Sequence, residues 1–571
     1  MKESASSELS EMEEKLKKES FSTEGVISDS TNNQKKKSYY KFPSAYSVLL
    51  IIEVIVFLLS FIISKGHFDT IEYLSDEKIF IIRKNDNNNT IIKIDATKEE
   101  LDKIGIGVPL EHFEDGFMYR PVRIPNTYKK IEDDSNIFYT ILNIFSYPIK
   151  GLIESADIGF FLLIIGGTLK VLQEFQSFSK AKEILTKMTK ERQFFLLVGV
   201  LIIIAIGGTT FGMQEEILSF YPILMPIFLE MGFDGLLSMA PLYLGVICGN
   251  MFCTINTTSV VLASILSGID YIDEIIFRIV GLIVVIIIAI IYLFLYHKIF
   301  DKEEKSFVYE IRKEILEHFD IQTKQKNKEE KEKNKEDEES DLTSEKSKLK
   351  GEETGDNRIK FKFGELIPLI LCALGFVIII VGIVIFKWSF IPMTTVFFIL
   401  AIILMISLKK GEKEAIKIFM EGAGKFCGVV IITGILRGIS LTLIEEKILD
   451  TILNAISNMV DGLQGCVFGI VMLLIYIFLG FFIQSYSALA MISISPFVPL
   501  ADKANCNRAV IVNAYLLGQS LIALISPTGL ILIVNELVAI DYIYWLKFIW
   551  LFFLLLLVLS VILIIADSYL S

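Results

Sequence analysis

Histidine is scarce in this 571-residue chain, and the four present, His67, His112, His297 and His318, fall outside its long apolar runs. A histidine proton relay or a zinc site at membrane depth is not expected. The six cysteines (Cys248, Cys253, Cys372, Cys427, Cys466, Cys506) have neither metal spacing nor the density of a disulfide framework. No nucleotide-binding P-loop is present, so pumping by ATP hydrolysis within this chain is disfavoured. A Ser/His or Asp pair at membrane depth is also lacking, which argues against an intramembrane enzyme. The net charge of −12 resides mainly in aqueous stretches and provides no basic surface for nucleic acid. No cofactor is expected.

What the chain has is apolar residues, 53% of the total with 43 Phe. Leu366 to Phe386 and Phe390 to Leu408 are uncharged, while Ile275 to Tyr296 carries only Arg278 and Ser44 to Ile63 only Glu53. With Phe548 to Ala566, these runs approach or exceed the roughly 20 residues needed to span a bilayer as helices. The expected fold is an all-α polytopic membrane protein.

The chain also repeats itself. Glu154, Ala156, Ile164, Ile165, Gly167, Leu169 and Lys170 recur 267 residues later as Glu421, Ala423, Ile431, Ile432, Gly434, Leu436 and Arg437. Phe211, Gln214, Pro226 and Thr258 recur 270 residues later as Phe481, Gln484, Pro496 and Thr528. Equivalent loops carry opposite charge: Lys170 to Arg192 has six basic and three acidic residues, whereas Gly438 to Gly465 has one basic and four acidic. By the positive-inside bias the first is cytosolic and the second outside, which makes the repeats inverted. Inverted repeats mark secondary transporters, whose site lies where the halves meet.

Residues 1–43 read as a disordered cytosolic tail ending in Lys35, Lys36, Lys37 and Lys41. Residues 44–300 form the first transmembrane half, 301–362 a charged cytosolic linker and 363–571 the second half. Within the linker, Gln322 to Asn357 has only Leu342 and Leu349 as apolar side chains and cannot bury a core. The outer loop, 65–150, allows two strands at Lys78–Arg83 and Thr90–Asp95, and Asn88-Asn89-Thr90 has the glycosylation pattern. The chain is expected in the plasma membrane with its N-terminus cytosolic.

Breaks in the apolar segments point to the site. Ile158 to Leu169, with Gly166-Gly167, and Phe426 to Leu436, with Gly428 and Gly434, are short enough to read as interrupted or re-entrant helices. Stronger breaks are Gly207 to Glu216 and its counterpart Gly480 to Ala488. A second pair is Asn256 to Ser259 and Ser526 to Gly529. The candidate substrate or ion ligands are Thr209, Thr210, Gln214, Glu215, Glu216, Asn256, Thr258, Gln484, Ser485, Ser487, Ser526 and Thr528. Each small polar residue could instead hydrogen-bond a neighbouring helix. Glu215 and Glu216 either serve the site, since a carboxylate in hydrocarbon costs several kcal/mol, or lie at the outer water interface. Glu53 and the Glu154/Asp157 pair read rather as interfacial or structurally paired.

These stretches resemble the DcuC-type carriers, in particular the YfcC-like branch of C4-dicarboxylate and basic amino-acid (arginine/ornithine) transporters of the ion-transporter superfamily. The likeness rests on Phe211 to Glu216, Pro226, Gly232-Phe-Asp234, Glu421-Gly-Ala423, Ser485-x-Ser487, Pro496 to Asp502, Asn507-Arg508, Ser526-Pro-Thr528 and Trp545-Leu-Lys547. It implies re-entrant hairpins, discontinuous helices and a homodimer in the bilayer moving solute by an elevator-like displacement. Asn256 and the hairpin residues near Glu215 and Ser485 would line the site. The relatives' Ser-Gly-Ser-Gly turn is Ser485-Tyr-Ser-Ala488 here, which should narrow the second hairpin. The function implied is secondary active transport of a small amino acid or C4-dicarboxylate, by exchange or coupled to Na⁺ or H⁺. A transporter-fold sensor and an ion channel are the alternatives.

Overall fold

The computed structural model describes residues 43–84, 90–118, 120–131, 137–186, 190–299, 306–309, 311–319, 363–386 and 388–570. The expected tail, the glycosylation asparagine Asn88 and most of the linker lie outside them. Among the described residues ten helical segments are long and apolar enough to cross a membrane.

The first, α1 (Ala45–Ile62), starts on Ser44, whose side chain accepts from the Ser47 N–H. It leads into a small β domain. Here β1 (Gly66–His67) pairs with β6 (Lys129–Lys130), while β2 (Thr70–Leu74), β3 (Ile79–Arg83), β4 (Ile91–Asp95) and β5 (Val122–Arg123) form an antiparallel sheet ordered β4-β3-β2-β5. The two expected strands are β3 and β4. Helices α2 (Lys98–Lys103) and α3 (Leu110–Glu114) complete this cap, with Phe80, Ile71, Phe113 and Val122 buried in its core. Helix resumes at Ile137, within the expected outer loop 65–150.

Helices α4 (Ile137–Glu154) and α5 (Ala156–Gln173) make one traverse broken at Ser155, and α6 (Gln176–Thr186) follows. A first hairpin comprises α7 (Lys190–Phe211), a 3₁₀ turn (Glu215–Ser219) and α8 (Tyr221–Glu230). Next comes a broken helix, α9 (Gly235–Met251) and α10 (Leu262–Ser267), joined through a π turn at Thr257–Val261. Helix α11 (Ile275–Ile299) buries Arg278, Gly281, Val285, Ala289 and Leu293 and exposes Ile276, Val280, Ile283, Ile287 and Ile291. An exposed face this apolar is one for lipid. His297 falls in its last turn rather than beyond the span.

After the short α12 (Arg312–His318), the second half begins with α13 (Phe363–Phe386) and α14 (Phe390–Ser407). Helices α15 (Glu412–Gly424) and α16 (Cys427–Glu445) form another broken traverse, packing on α5 and α4 respectively. Amphipathic α17 (Leu449–Val460) leads to a second hairpin, α18 (Gly465–Phe482) and α19 (Tyr486–Lys503). The chain then runs through the broken helix α20 (Arg508–Ile525) and α21 (Leu530–Val538) to α22 (Tyr542–Leu570).

Helix α11 is about 37 Å long for its 25 residues, and its two ends have different neighbours. Near its start lies the cap, where Gly107 abuts Gly268 and Arg508 Nη1 donates to the Ser267 carbonyl. Near its far end lies the linker, where Tyr296 and Ser306 both donate to Asp234 Oδ2, at 2.7 and 2.6 Å. The first hairpin has its base at the linker end: Phe194 of α7 stacks on His297, and Phe233 beyond α8 meets the same ring edge-on. The second has its base at the cap end, where Gly465 N–H donates to the Ala504 carbonyl and α19 packs on β5. The hairpins therefore enter the body from opposite ends.

One reading of the breaks needs correction. Gly166, Gly167 and Gly434 lie inside continuous α5 and α16, not at interruptions. A Cβ on Gly166 would sit 2.4 Å from the Phe426 ring, and one on Gly434 2.2 Å from Leu152. These glycines let helices approach closely. The breaks lie elsewhere, at Ser155 and at Lys425-Phe426.

Candidate functional site

The first hairpin turns because α7 ends at Phe211 and Gly212 takes φ +70°, a left-handed conformation costly for a side chain. The Asn250 amide of α9 donates to the Met213 carbonyl at 3.3 Å, satisfying a group the turn has freed. The second tip is held likewise: Gln519 Nε2 of α20 donates to the Ile483 and Gln484 carbonyls at 3.1 and 2.8 Å, and Ser485 caps α19. Each tip thus takes its hydrogen bonds from the broken helix that follows it. The break after α20 arises at Ser526-Pro527-Thr528, where Pro527 has no N–H to donate.

The tips border a cleft of about 270 Å³, near the small end of ligand sites. Gln214 and Glu215 come from the first tip, Gln484, Ser485 and Tyr486 from the second, and Thr528 from the break before α21. Tyr243, Val246, Ile247 and Asn250 of α9 form one wall. Opposite are Glu154, Ser155, Asp157 and Ile158 at the α4–α5 break and Thr433, Leu436, Arg437 and Ser440 on α16.

Of the twelve candidate ligands, the structure brings Gln214, Glu215, Gln484, Ser485 and Thr528 to the cleft wall. The other seven stand behind it or beside it. Thr209 donates to the Phe252 carbonyl at 2.7 Å, tying the tip to the α9–α10 break, and Thr210 donates back to Ile206. Glu216 accepts the Gln214 N–H at 2.9 Å. Buried Asn256 accepts both the N–H and hydroxyl of Thr258, each at 2.9 Å. Ser526 and Thr528 hydroxyls lie 2.6 Å apart, Gln484 donates to Thr528, and Ser487 pairs with Ser485.

Glu154 and Asp157, which read from the sequence as interfacial or structurally paired, line the cleft together with Arg437. Glu154 Oε2 accepts from Arg437 Nε at 2.8 Å across the two halves, and Asp157 stands one turn along. Glu154 and Arg437 both belong to the 267-residue repeat, and that was the signal for them. Tyr486, the departure in the second hairpin, lines the cleft and reaches the Ser520 hydroxyl at 2.7 Å. Glu53 is buried in α1, with one carboxylate oxygen bonded to Thr442.

The family model described as "DcuC: C4-dicarboxylate anaerobic carrier" matches residues 42–569. The chain belongs to the DcuC family. It is a multi-pass membrane transporter for a small molecule, and its family consists of carriers rather than enzymes. A Haemophilus influenzae Rd protein, described as "Uncharacterized protein", is 32% identical over 521 residues, covering 90% of this chain and 94% of its own length. An Escherichia coli K12 protein described as "Putative basic amino acid antiporter YfcC" is 24% identical over 421 residues, covering 70% of this DcuC-family chain and 76% of itself. Among solved structures, the Alcanivorax borkumensis YdaH transporter aligns with TM-score 0.36 and 10% identity, covering 92% of this chain and 98% of its own. Neisseria gonorrhoeae MtrF, from a class of antimetabolite efflux pumps, aligns with TM-score 0.37 and 15% identity, covering 92% and 95%.

Proposed function

We propose that this carrier moves a small amino acid with a cationic side chain, bound in the cleft between the hairpin tips. The observation that carries this reading is the charge of the cleft: Glu154, Asp157 and Glu215 against the single guanidinium of Arg437. Among the described residues Glu154 engages only Nε of Arg437, so the rest of the guanidinium fork faces a substrate carboxylate. Asp157 and Glu215 then face the substrate's cationic groups, with Gln214, Gln484, Ser485 and Thr528 as polar contacts. The E. coli relative's description as a basic amino-acid antiporter agrees with this charge pattern.

In this reading the two broken-helix modules are inverted copies, and the tips move against the α4–α5 and α15–α16 traverses to give alternating access. The movement is exchange or is coupled to Na⁺ or H⁺, in a homodimer. The test is counterflow in proteoliposomes with labelled arginine, ornithine, malate and fumarate, repeated under imposed Na⁺ and H⁺ gradients. Uptake of arginine or ornithine is expected. Uptake of malate or fumarate alone would overturn the cationic assignment in favour of a second reading, a C4-dicarboxylate held by Arg437, which the family's description favours.

A further inference from the structure

The two copies of the repeated helix face have different surroundings. In α16, Thr433, Leu436, Arg437 and Ser440 line the large cleft. In the 267-residue register their counterparts in α5 are Gly166, Leu169, Lys170 and Gln173, and all four line a second cleft of about 50 Å³. Gly422 and Lys425, at the α15–α16 break, complete that wall. They are the register mates of Ser155 and Ile158, which line the large cleft. The small cleft is thus the large one with the halves exchanged.

The ends are exchanged as well. The large cleft follows α16 toward Glu446, which pairs with Lys65 beside the cap. The small cleft follows α5 toward Gln173 at the linker end, where His318 and Phe319 close it together with Pro222, Pro226 and Leu537. Those two residues belong to a strap, described over residues 306–309 and 311–319, that is fastened at several points. Ser306 donates to Asp234, Ile315 packs so tightly on Gly235 that a Cβ there would lie 2.9 Å from it, and His318 Nε2 lies 3.0 Å from the Leu537 carbonyl.

We propose that the small cleft is the linker-side vestibule for the solute and that His318 and Phe319 are the plug that closes it in this state. The proposal rests on the alternating-access reading. In the opposite state Lys170 occupies the position of Arg437, and Glu421 that of Glu154. The carrier cannot open toward the linker until α12 withdraws these two side chains from between α5 and α8.

The test follows accessibility rather than uptake. In protein carrying Cys427→Ser and Cys466→Ser, to remove the cysteines that are not buried, a Gln173→Cys or a Ser440→Cys probe is reacted with a membrane-impermeant maleimide from the linker or the cap side. Adding His318→Ala with Phe319→Ala should raise the linker-side rate at position 173 by tenfold or more and lower the cap-side rate at position 440. Phe319→Leu, which keeps most of the plug's bulk, should leave both rates near their starting values and so controls for misfolding. No change at position 173 on removing both side chains overturns the proposal. A rise at position 173 with position 440 unchanged supports α12 as the cover but overturns alternating access, so the two failures are distinguishable.

Discussion

Gly212 and Asn256 touch so closely that a Cβ on the glycine would lie 2.0 Å from Asn256 Nδ2. The contact joins the tip of the first hairpin to the break in the following helix, and it needs both the absent side chain and the φ of +70°. Gly212→Ala should therefore combine ~1–2 kcal/mol of left-handed strain with a steric clash. A lowered melting temperature and at least tenfold slower counterflow are expected. Because the clash involves Asn256, Gly212→Ala with Asn256→Ala should lose less than the sum of the single changes. Additive losses would show that the contact is incidental.

Arg437 and Glu154 form a partly exposed pair, so its worth to stability is expected to be at most ~1 kcal/mol. Its worth to transport should be larger. Arg437→Ala should raise KM for a carboxylate-bearing amino acid more than tenfold with little change in melting temperature, and Arg437→Lys should recover only part of this because the bidentate fork is lost. Unchanged KM in both variants would remove Arg437 from the substrate site.

Tyr486 lines the cleft, and its hydroxyl is held by Ser520. Tyr486→Phe should change transport little. Tyr486→Gly should admit bulkier amino acids, measured as competition against the preferred substrate, while weakening the start of α19.

Asp450 fastens the cap to α17: His67 Nδ1 lies 2.5 Å from its carboxylate, Arg123 Nε donates at 2.7 Å and the Phe68 N–H at 3.1 Å. Burial alone would raise its pKa, but the His67 hydrogen bond, the Arg123 charge and the Phe68 N–H outweigh burial and hold it below the ordinary aspartate range. With the folded value depressed, Asp450's contribution is fully present above the unfolded value near 4 and is lost as pH falls through the lower folded value. Hydrogen exchange in β1 and β5 should thus be insensitive to this group above about pH 5 and accelerate only in stronger acid. Asp450→Asn should accelerate it at neutral pH, by an opening cost of about 1.5–3 kcal/mol.

The spans and the cap strands were legible because apolar run length and alternation are local signals. The tips were legible too, since at Gly207 to Glu216 and Gly480 to Ala488 glycines, hydroxyls and amide or acidic side chains interrupt the apolar sequence together. Reading Gly166-Gly167 as a break failed because a glycine that admits the Phe426 ring looks the same in sequence as one that ends a helix. The place of Glu154 at the cleft was not legible for a related reason: its partner there, Arg437, is 283 residues away along the chain. Seven candidate ligands lie off the cleft lining, because the direction a side chain takes from a break is set by its surroundings and not by its position in the sequence.

In the proposed function Glu215 faces a cationic group of the solute in the cleft between the tips. Binding of labelled arginine or ornithine, whichever the wild-type protein exchanges, to purified wild-type and Glu215→Gln protein tests it most directly. Loss of a charged hydrogen bond worth about 1.5–3 kcal/mol predicts affinity lower by roughly 10- to 100-fold, with Gln214→Ala affected less. Equal affinities for wild type and Glu215→Gln would contradict it.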